Sequence, residues 1–288
     1  MIQKIKTIFK WGIMSRQLLD ISDFDTFNKQ PYDKGVLTLN LTSWDEFHSV
    51  VKKFNNYPDY IWRGQKYAKP LKSSFDRLLS YKGSRQEELK RIFNKLKQRL
   101  MDLRKAASLT DNEIWAIGQH YGLSTPLLDW TESPYFAAYF SFYEKSSEPN
   151  RVIYALNKVI ERVIQKTKNL KKEVLKKERF VDFDPVNNNL DFRQNERMIS
   201  QRGKFTQALE GKGVEWVVEK FWEKRKNQYK NKIILTKILI PDEFQNECLT
   251  ALKAMNITHG TLFPDYAGAV EICKIDLGIE KSQNSLLN

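Results

Sequence analysis

An arginine among apolar residues is the most unusual chemical feature of this sequence. Arg63 lies in the pentapeptide IWRGQ, where it follows Ile61 and Trp62 and precedes Gly64 and Gln65. A guanidinium stays ionised and presents planar N–H groups that match a carboxylate or a phosphate. The position therefore predicts one of two arrangements: a structural ion pair in the core, or a pocket for an anionic ligand.

A carboxylate in a similar environment lies further along the chain, in the stretch QHYGLSTPLLDWTESPYFAAYF that spans residues 119–140. Asp129 stands there between a leucine and a tryptophan, so its side chain is expected to be at least partly buried. A buried carboxylate without a partner is costly or shifts its pKa, so it needs a cationic or hydrogen-bonding neighbour. Arg63 is the first candidate, either as a purely structural partner or as part of a binding site.

The same stretch contains a predicted helix start that could bind an anion. Pro134 suits the first helical position, which makes Ser133 the N-cap. The free amides at this start, together with the hydroxyls of Thr131 and Ser133, can hold a phosphate or a ribose hydroxyl. His120 and Tyr121 end the preceding predicted helix and could stack on a base or ring, although a lone histidine is more often structural.

Sequence motifs of several common enzyme classes are absent. The sequence has no P-loop, no G-x-G-x-x-G after a strand and no G-x-S-x-G elbow. Its three histidines, His48, His120 and His259, are far apart and have no companions for a zinc site. These absences favour an enzyme that uses no metal, or a binding module.

The composition favours a polyanionic partner. The chain has 288 residues and a formal net charge of +13, which favours nucleic acid or a membrane surface. Trp216, Trp222 and Tyr229 could stack on unpaired bases. Solvated charged faces and core aromatic residues are the competing interpretation. Three lysine-rich faces are expected, at 85–105, 160–180 and 220–232.

The two cysteines and the lack of long apolar runs predict a cytoplasmic protein. Cys248 and Cys273 are expected to be buried thiols in a reducing compartment, because the sequence carries no secretory signal. No apolar run reaches the length that spans a bilayer. We therefore expect no membrane partner.

Local patterns predict an α+β fold rather than a doubly wound sheet. Strands are predicted at 60–64, 151–156 and 232–240. Helices are predicted over 42–54, 84–103, 111–122 and 160–180. Thr42 or Ser43 is the expected N-cap of the first of these helices and Asp111 that of the third, with Gly122 in the left-handed conformation at its end.

Five blocks of the sequence resemble the FRG-domain family, which takes its name from an [FW]-R-G tripeptide. The blocks are IWRGQ, LKSSFDRLL, QHYGLSTPLLDWTESPYFAAYFSFYE, NERMISQRGKF and TLFPDYAGAVEI, and they follow the order of the family. One departure is Pro126, which stands where the family usually has an arginine, so a ligand contact from that arginine would be missing. The resemblance implies an FRG domain over 36–280, with an N-terminal helical extension over 1–35, a basic helical insertion at about 158–180 and a flexible tail over 281–288.

FRG domains are similar in layout to ADP-ribosyltransferases, which implies a small split, antiparallel-rich sheet with surrounding helices. In that layout an arginine lies on an early strand, here Arg63. A hydroxyl-bearing turn precedes a buried helix, here through Thr131 and Ser133. A Glu or Gln lies on a late strand, where Glu196 and Gln201 are the candidates.

The resemblance also implies NAD as a substrate, without a metal. Arg63 would bind the pyrophosphate. A carboxylate or amide side chain would polarise the ribose 2′-hydroxyl and orient the acceptor. The implied catalytic residues are Arg63, Asp129, Glu196 and Gln201. The implied NAD-binding residues are Arg63, Gly64, Gln65, His120, Tyr121, Trp130, Thr131, Ser133 and Arg197.

The expected function is therefore an NAD-dependent ADP-ribosyltransferase toxin that acts in bacterial phage defence. Its expected acceptor is nucleic acid, with RNA favoured, and a neutralising antitoxin is a further expected partner. Two alternatives stay open. One is a non-catalytic, basic nucleic-acid-binding module in which Arg63 and Asp129 form a structural pair, and the other is an effector that hydrolyses NAD without an acceptor.

Overall fold

A six-stranded sheet forms the centre of the protein. The computed structural model describes residues 18–78, 84–103, 109–160, 196–207 and 211–277. The strands are β1 (Val36–Asn40), β2 (Tyr60–Gln65), β3 (Leu127–Thr131), β4 (Asn150–Asn157), β5 (Gly203–Gln207) and β6 (Leu235–Pro241). Their order across the sheet is β1-β6-β4-β2-β3-β5. β1 runs parallel to β6, and the other neighbouring pairs are antiparallel.

The sheet corrects one prediction about the fold. The expected mixture of helices and strands is confirmed, but the sheet is mixed and continuous rather than split and antiparallel-rich. The parallel pairing joins Val36 to Leu235, two residues from opposite ends of the chain. Local patterns cannot predict such a pairing, because they carry no information about which distant strand lies alongside.

Helices and short helical turns surround the sheet. The helices are α1 (Trp44–Phe54), α2 (Ser74–Leu78), α3 (Arg85–Asp102), α4 (Asp111–His120), α5 (Pro134–Phe142), α6 (Glu196–Ser200), α7 (Val214–Glu223), α8 (Lys226–Tyr229), α9 (Gln245–Ala254), α10 (His259–Leu262) and α11 (Tyr266–Asp276). Short 3-10 helices lie at Ile21–Phe24 and Asp242–Phe244. The predicted helices over 42–54, 84–103 and 111–122 are confirmed to within a few residues.

The helix starts show why these segments fold as they do. Ser43 caps α1, and its side chain accepts a hydrogen bond from the Glu46 amide at 3.2 Å. The start of α4 differs from the prediction, because Thr110 rather than Asp111 is the N-cap and forms a capping box with Glu113. Asp111 instead occupies the first helical turn, where its charge complements the helix dipole. Gly122 has a φ of +86°, as predicted.

Helix α5 packs closely on strand β2, and Gly64 makes this approach feasible. A Cβ at position 64 would lie 2.7 Å from the Ser141 amide nitrogen and closer still to the Ala137 carbonyl oxygen. Backbone atoms of a packed helix cannot move aside as a flexible side chain can. The glycine next to Arg63 therefore sets the distance between β2 and α5.

Several predicted features lie wholly or partly outside the described residues. The described part of the N-terminal extension, 18–35, buries Leu18, Leu19 and Phe24 in the core. The rest of that extension, the basic helical insertion beyond residue 160 and the tail over 281–288 are outside the described residues.

The two cysteines have different environments. Cys248 is buried as predicted, and burial raises the pKa of its thiol. Cys273 is exposed, which corrects its prediction, because it lies on α11 at the surface. In the described ranges, no group of three or more His, Cys, Asp or Glu side chains could hold a metal ion. None of the described helices has the length and apolar character needed to cross a membrane.

Candidate functional site

Most of the predicted site residues line one cavity, which we call the inner cavity. It has a volume of about 380 Å³, within the range of small-molecule sites. The predicted residues that line it are Arg63, Gly64, His120, Asp129, Trp130, Thr131, Arg197 and Gln201. They come from β2, α4, β3, α6 and the turn before β5, so the fold brings together residues that are distant in sequence.

Arg63 lies at the wall of this cavity with 16% of its side chain exposed. Its Nη1 donates to the Asp129 carbonyl oxygen at 2.6 Å. The Gln65 carboxamide, oriented so that both its ends are satisfied, accepts from Arg63 Nε at 3.3 Å and donates to the Lys69 carbonyl at 3.1 Å. Desolvation by burial lowers the pKa of Arg63, and the charge of Asp129 opposes that effect. The guanidinium is thus fixed in position, and its Nη2 has no partner among the described residues.

Asp129 is more exposed than the sequence predicts. Its side chain is 62% exposed, and its Oδ2 lies 3.9 Å from Arg63 Nη1, a loose ion pair. The side chain points into the inner cavity, where protein atoms replace much of the surrounding bulk water. This desolvation raises the pKa of Asp129, while the charge of Arg63 and a hydrogen bond from Gln119 hold it down. The expected pair exists, but its carboxylate is open to a ligand.

Gln119 positions the Asp129 carboxylate and is a residue that the sequence did not single out. Its Nε2 donates to Asp129 Oδ1, and its Oε1 accepts from the hydroxyl of the fully buried Thr125. Because Thr125 donates to the carboxamide oxygen, the amide nitrogen must face Asp129. The only sequence signal for Gln119 was its place directly before His120.

Replacing Gln119 by leucine should raise the pKa of Asp129 further. The variant removes the donor that stabilises the charged carboxylate, so the proton is bound more tightly. The measurement is an NMR titration of the Asp129 side-chain carboxyl carbon. Asn112→Leu, in the first turn of the same helix α4, is the control and should leave that titration unchanged. An unaltered Asp129 titration in Gln119→Leu would contradict the described network.

The two hydroxyls at the start of α5 are used within the protein. Thr131 is 2% exposed, and its hydroxyl donates to the Gln201 carbonyl at 2.7 Å and accepts from the Ser133 amide at 3.1 Å. Ser133 caps α5 as predicted, by accepting from the Phe136 amide at 3.3 Å. Thr131 lines the inner cavity and Ser133 does not. Thr131 therefore ties the end of β3 to the segment that carries Gln201.

Arg197, which also lines the inner cavity, forms a second ion pair. Arg197 Nη2 donates to Asp265 Oδ1 at 2.8 Å, and Arg197 Nε lies 2.8 Å from Asp265 Oδ2. The guanidinium carbon of Arg197 lies 4.8 Å from the centre of the Phe263 ring. Burial and then the charge of Arg197 lower the pKa of His120, which favours the neutral imidazole. Gln201 donates to the Leu262 carbonyl at 3.1 Å.

A second depression adjoins the inner cavity, and we call it the outer groove. It has a volume of about 1000 Å³ and is lined by Tyr121 and by residues from 263 to 272. His120, Arg197 and Phe263 line both depressions. A ligand in the inner cavity can therefore extend into the outer groove without leaving the protein surface.

Most of the remaining predicted residues lie outside the inner cavity or, like Trp130, are almost fully buried in its lining. Gln65 and Ser133 lie outside both depressions, and Tyr121 lines the outer groove only. Trp130 is 3% exposed, and its indole nitrogen donates to the Thr206 hydroxyl at 2.9 Å. The side chain of Glu196 lies outside what the structure describes. The roles of all these residues in binding or catalysis stay predictions.

The aromatic residues proposed to stack on bases near 216–229 pack inside the protein. Tyr229 is completely buried, which corrects that prediction. Trp222 is partly buried, and its indole nitrogen donates to the Tyr229 carbonyl at 3.1 Å. Trp216 is partly buried against the core. The three rings therefore pack on the core from two helices, Trp216 and Trp222 from α7 and Tyr229 from α8.

Comparison with known families identifies part of the chain. Residues 58–150 match the family model of the FRG domain, which confirms the resemblance over that segment. The segment is about a third of the chain and contains both Arg63 and Asp129. No curated protein and no solved structure matches the chain.

Proposed function

We propose that this chain is an NAD-dependent ADP-ribosyltransferase that transfers ADP-ribose to nucleic acid, with RNA as the favoured acceptor. One observation carries the proposal. The fixed guanidinium of Arg63 and the solvent-accessible carboxylate of Asp129 line the same cavity. NAD requires such a combination, because its pyrophosphate is anionic and its nicotinamide ribose develops positive charge as nicotinamide leaves.

Arg63 is the proposed pyrophosphate-binding residue. Its Nε and Nη1 are held by the Gln65 side chain and the Asp129 carbonyl, so little conformational entropy is lost when the guanidinium binds a ligand. A guanidinium that is 16% exposed also lacks full hydration, which strengthens its attraction for an anion. The family match over 58–150 includes this residue.

Asp129 is the proposed catalytic carboxylate. In the reaction, the bond between ribose C1′ and the nicotinamide nitrogen breaks, and both electrons leave with neutral nicotinamide. A bond then forms between C1′ and an oxygen or nitrogen of the acceptor, and the acceptor loses its proton. Asp129 stabilises the positive charge at C1′ and accepts that proton, and its raised pKa suits the second task. Gln201 lines the same cavity, and its proposed role is to hold a ribose hydroxyl.

The positive charge of the chain supports a nucleic-acid acceptor. The net charge is +13, and helix α3 exposes basic side chains such as Arg91 and Arg99, which are 62% and 76% exposed. Each phosphate neutralised by such a residue releases counterions, so binding should weaken steeply as salt increases. The proposed role as a toxin of phage defence, with a neutralising antitoxin, follows from the resemblance to FRG-domain proteins.

The proposal is tested with NAD labelled in its adenylate phosphate. The purified protein is incubated with this NAD and with total RNA, DNA or cell lysate, and both label transfer and nicotinamide release are measured. We expect label in the RNA fraction. Arg63→Lys keeps the charge but loses the planar guanidinium that Gln65 and the Asp129 carbonyl hold in position, so it should weaken transfer at low NAD concentration by at least about tenfold. Arg91→Lys, on the exposed face of α3, is the matched control and should retain activity, because lysine keeps the positive charge that an acceptor phosphate would meet.

Three other outcomes would replace the proposal. Nicotinamide release without labelled polymer would identify an NAD-hydrolysing effector. Label in protein alone would change the acceptor class. Neither release nor transfer, with nucleic-acid binding unaffected by Arg63→Lys, would identify a non-catalytic basic module in which the Arg63 and Asp129 pair is structural.

A further inference from the structure

The outer groove carries two unusually exposed aromatic side chains. Tyr266 is 95% exposed and Tyr121 is 74% exposed. In the part of the chain that the structure describes, no other Phe, Trp or Tyr side chain falls in the exposed class. Both tyrosines line the same groove, although one ends α4 and the other begins α11. Exposed aromatic rings that face one depression are typical of a surface that binds a partner.

The lining of the groove includes Phe263, whose ring is stacked between two other planar groups. The Phe263 ring stacks on His259 with centroids 4.3 Å apart and an interplanar angle of 18°. The Arg197 guanidinium covers the Phe263 ring and is held by Asp265. Burial alone would raise the pKa of Asp265, but hydrogen bonds from Arg197 and the Gly268 amide lower it below its ordinary value. Arg197 and Asp265 are therefore both charged at pH 7 and compensate each other. A ligand in the groove need not carry a charge of its own.

We propose that the outer groove binds an unpaired nucleobase of the acceptor against Tyr121 and Tyr266, and that it presents this base to the inner cavity. The inference rests on the proposed function, because it names the acceptor site of that reaction. A neutral, flat base can stack on the aromatic side chains of the groove, and the Arg197 and Asp265 charges there already compensate each other. The phosphates of the RNA backbone are attracted by the positive net charge of the chain. A base inside a duplex is stacked on both faces and cannot enter.

The groove lies next to the inner cavity, where the proposed reaction at ribose C1′ takes place. His120, Arg197 and Phe263 separate the groove from the inner cavity and contact both. A base in the groove therefore lies beside the cavity that contains Asp129. An N–H or O–H group on its edge can attack ribose C1′ and give up its proton to that carboxylate, while nicotinamide leaves from the other side.

Binding of a fluorescently labelled RNA tests the inference. The probes are a single-stranded 12-mer of mixed sequence and the same strand in a duplex, and the readout is fluorescence anisotropy. We expect the double variant Tyr121→Ala, Tyr266→Ala to bind the single strand at least about tenfold more weakly, with duplex binding unchanged. Tyr121→Phe, Tyr266→Phe keeps the rings and should bind within about twofold of the wild type. Met255→Ala, at an exposed apolar residue outside the groove, is the control for surface changes.

The outcomes separate this inference from the proposed function. Unchanged single-strand binding in the double alanine variant would overturn the inference, even if NAD is turned over. Equal losses in the alanine and phenylalanine variants would also overturn it, because stacking would then not be the cause. If the alanine variant alone loses single-strand binding and the wild type releases no nicotinamide from NAD, the groove is a base-binding site and the proposed catalysis fails.

Discussion

Asp129→Asn is expected to lower nicotinamide release from NAD by about 10²–10³-fold, the usual cost of losing one preorganised charge at a reacting centre. Asparagine has nearly the same shape and can still accept the hydrogen bond from Gln119. It can neither stabilise positive charge at ribose C1′ to the same degree nor accept a proton. The measurement is nicotinamide release at saturating NAD, with RNA as the acceptor.

The control for this variant is Asp111→Asn, which neutralises an exposed carboxylate at the other end of helix α4. It should release nicotinamide at the wild-type rate. If Asp129→Asn also kept the wild-type rate, Asp129 would not be the catalytic carboxylate.

The wild-type rate of nicotinamide release should in addition rise with pH through the raised pKa of Asp129, and this dependence should be absent in Asp129→Asn.

The same substitution should not destabilise the protein at neutral pH. The pKa of Asp129 is raised in the folded state, so the folded protein binds this proton more tightly than the unfolded chain does. The charged carboxylate therefore opposes folding above that pKa. Asp129→Asn should be at least as stable as the wild type at pH 7, and its relative advantage should shrink as the pH falls towards 3.8, the ordinary value. Urea unfolding at several pH values checks this sign.

The second large effect concerns Gly64, and it is an effect on stability. Gly64→Ala should lower the free energy of unfolding by about 3 kcal/mol, because the new Cβ would overlap backbone atoms of Ala137 and Ser141. Strand β2 would then have to move away from α5, which also displaces Arg63. Urea unfolding measures the change.

Gly122→Ala is the matched control for Gly64→Ala. Gly122 has a φ of +86°, but a Cβ there would meet no atom within 4 Å. Its replacement should therefore cost only the left-handed backbone penalty, about 1 kcal/mol. An equal or smaller loss for Gly64→Ala would show that the packing of β2 on α5 tolerates a side chain, contrary to the described geometry.

Residue patterns within short segments of the sequence predicted several helices and the contact between Arg63 and Asp129. The capping serine and apolar stripe of α1 gave its start and its buried face, and Pro134 after Ser133 gave the start of α5. Arg63 and Asp129 were expected to meet because each needed a partner among apolar neighbours, and they do lie close together. Predictions of this kind depend on a few adjacent residues.

Features that depend on distant contacts were not predictable. The parallel pairing of β1 with β6 requires residues far apart in the chain to meet, and so does the ion pair of Arg197 with Asp265 beside the cavity. The exposure of Asp129 depends on the empty space beside β3, which has no signature in neighbouring residues. Similarly, Tyr229 lies in a lysine-rich stretch of sequence yet is completely buried, because its ring packs against Phe221 of α7.

A crystal structure with carba-NAD, in which a methylene group replaces the ring oxygen of the nicotinamide ribose, tests the central claim most directly. The analogue cannot readily lose nicotinamide, so it should stay intact in the site. We predict its pyrophosphate within hydrogen-bonding distance of the Arg63 guanidinium and its nicotinamide ribose beside Asp129 and Gln201 in the inner cavity. An analogue bound elsewhere, or an inner cavity without it at millimolar concentration, would contradict the account.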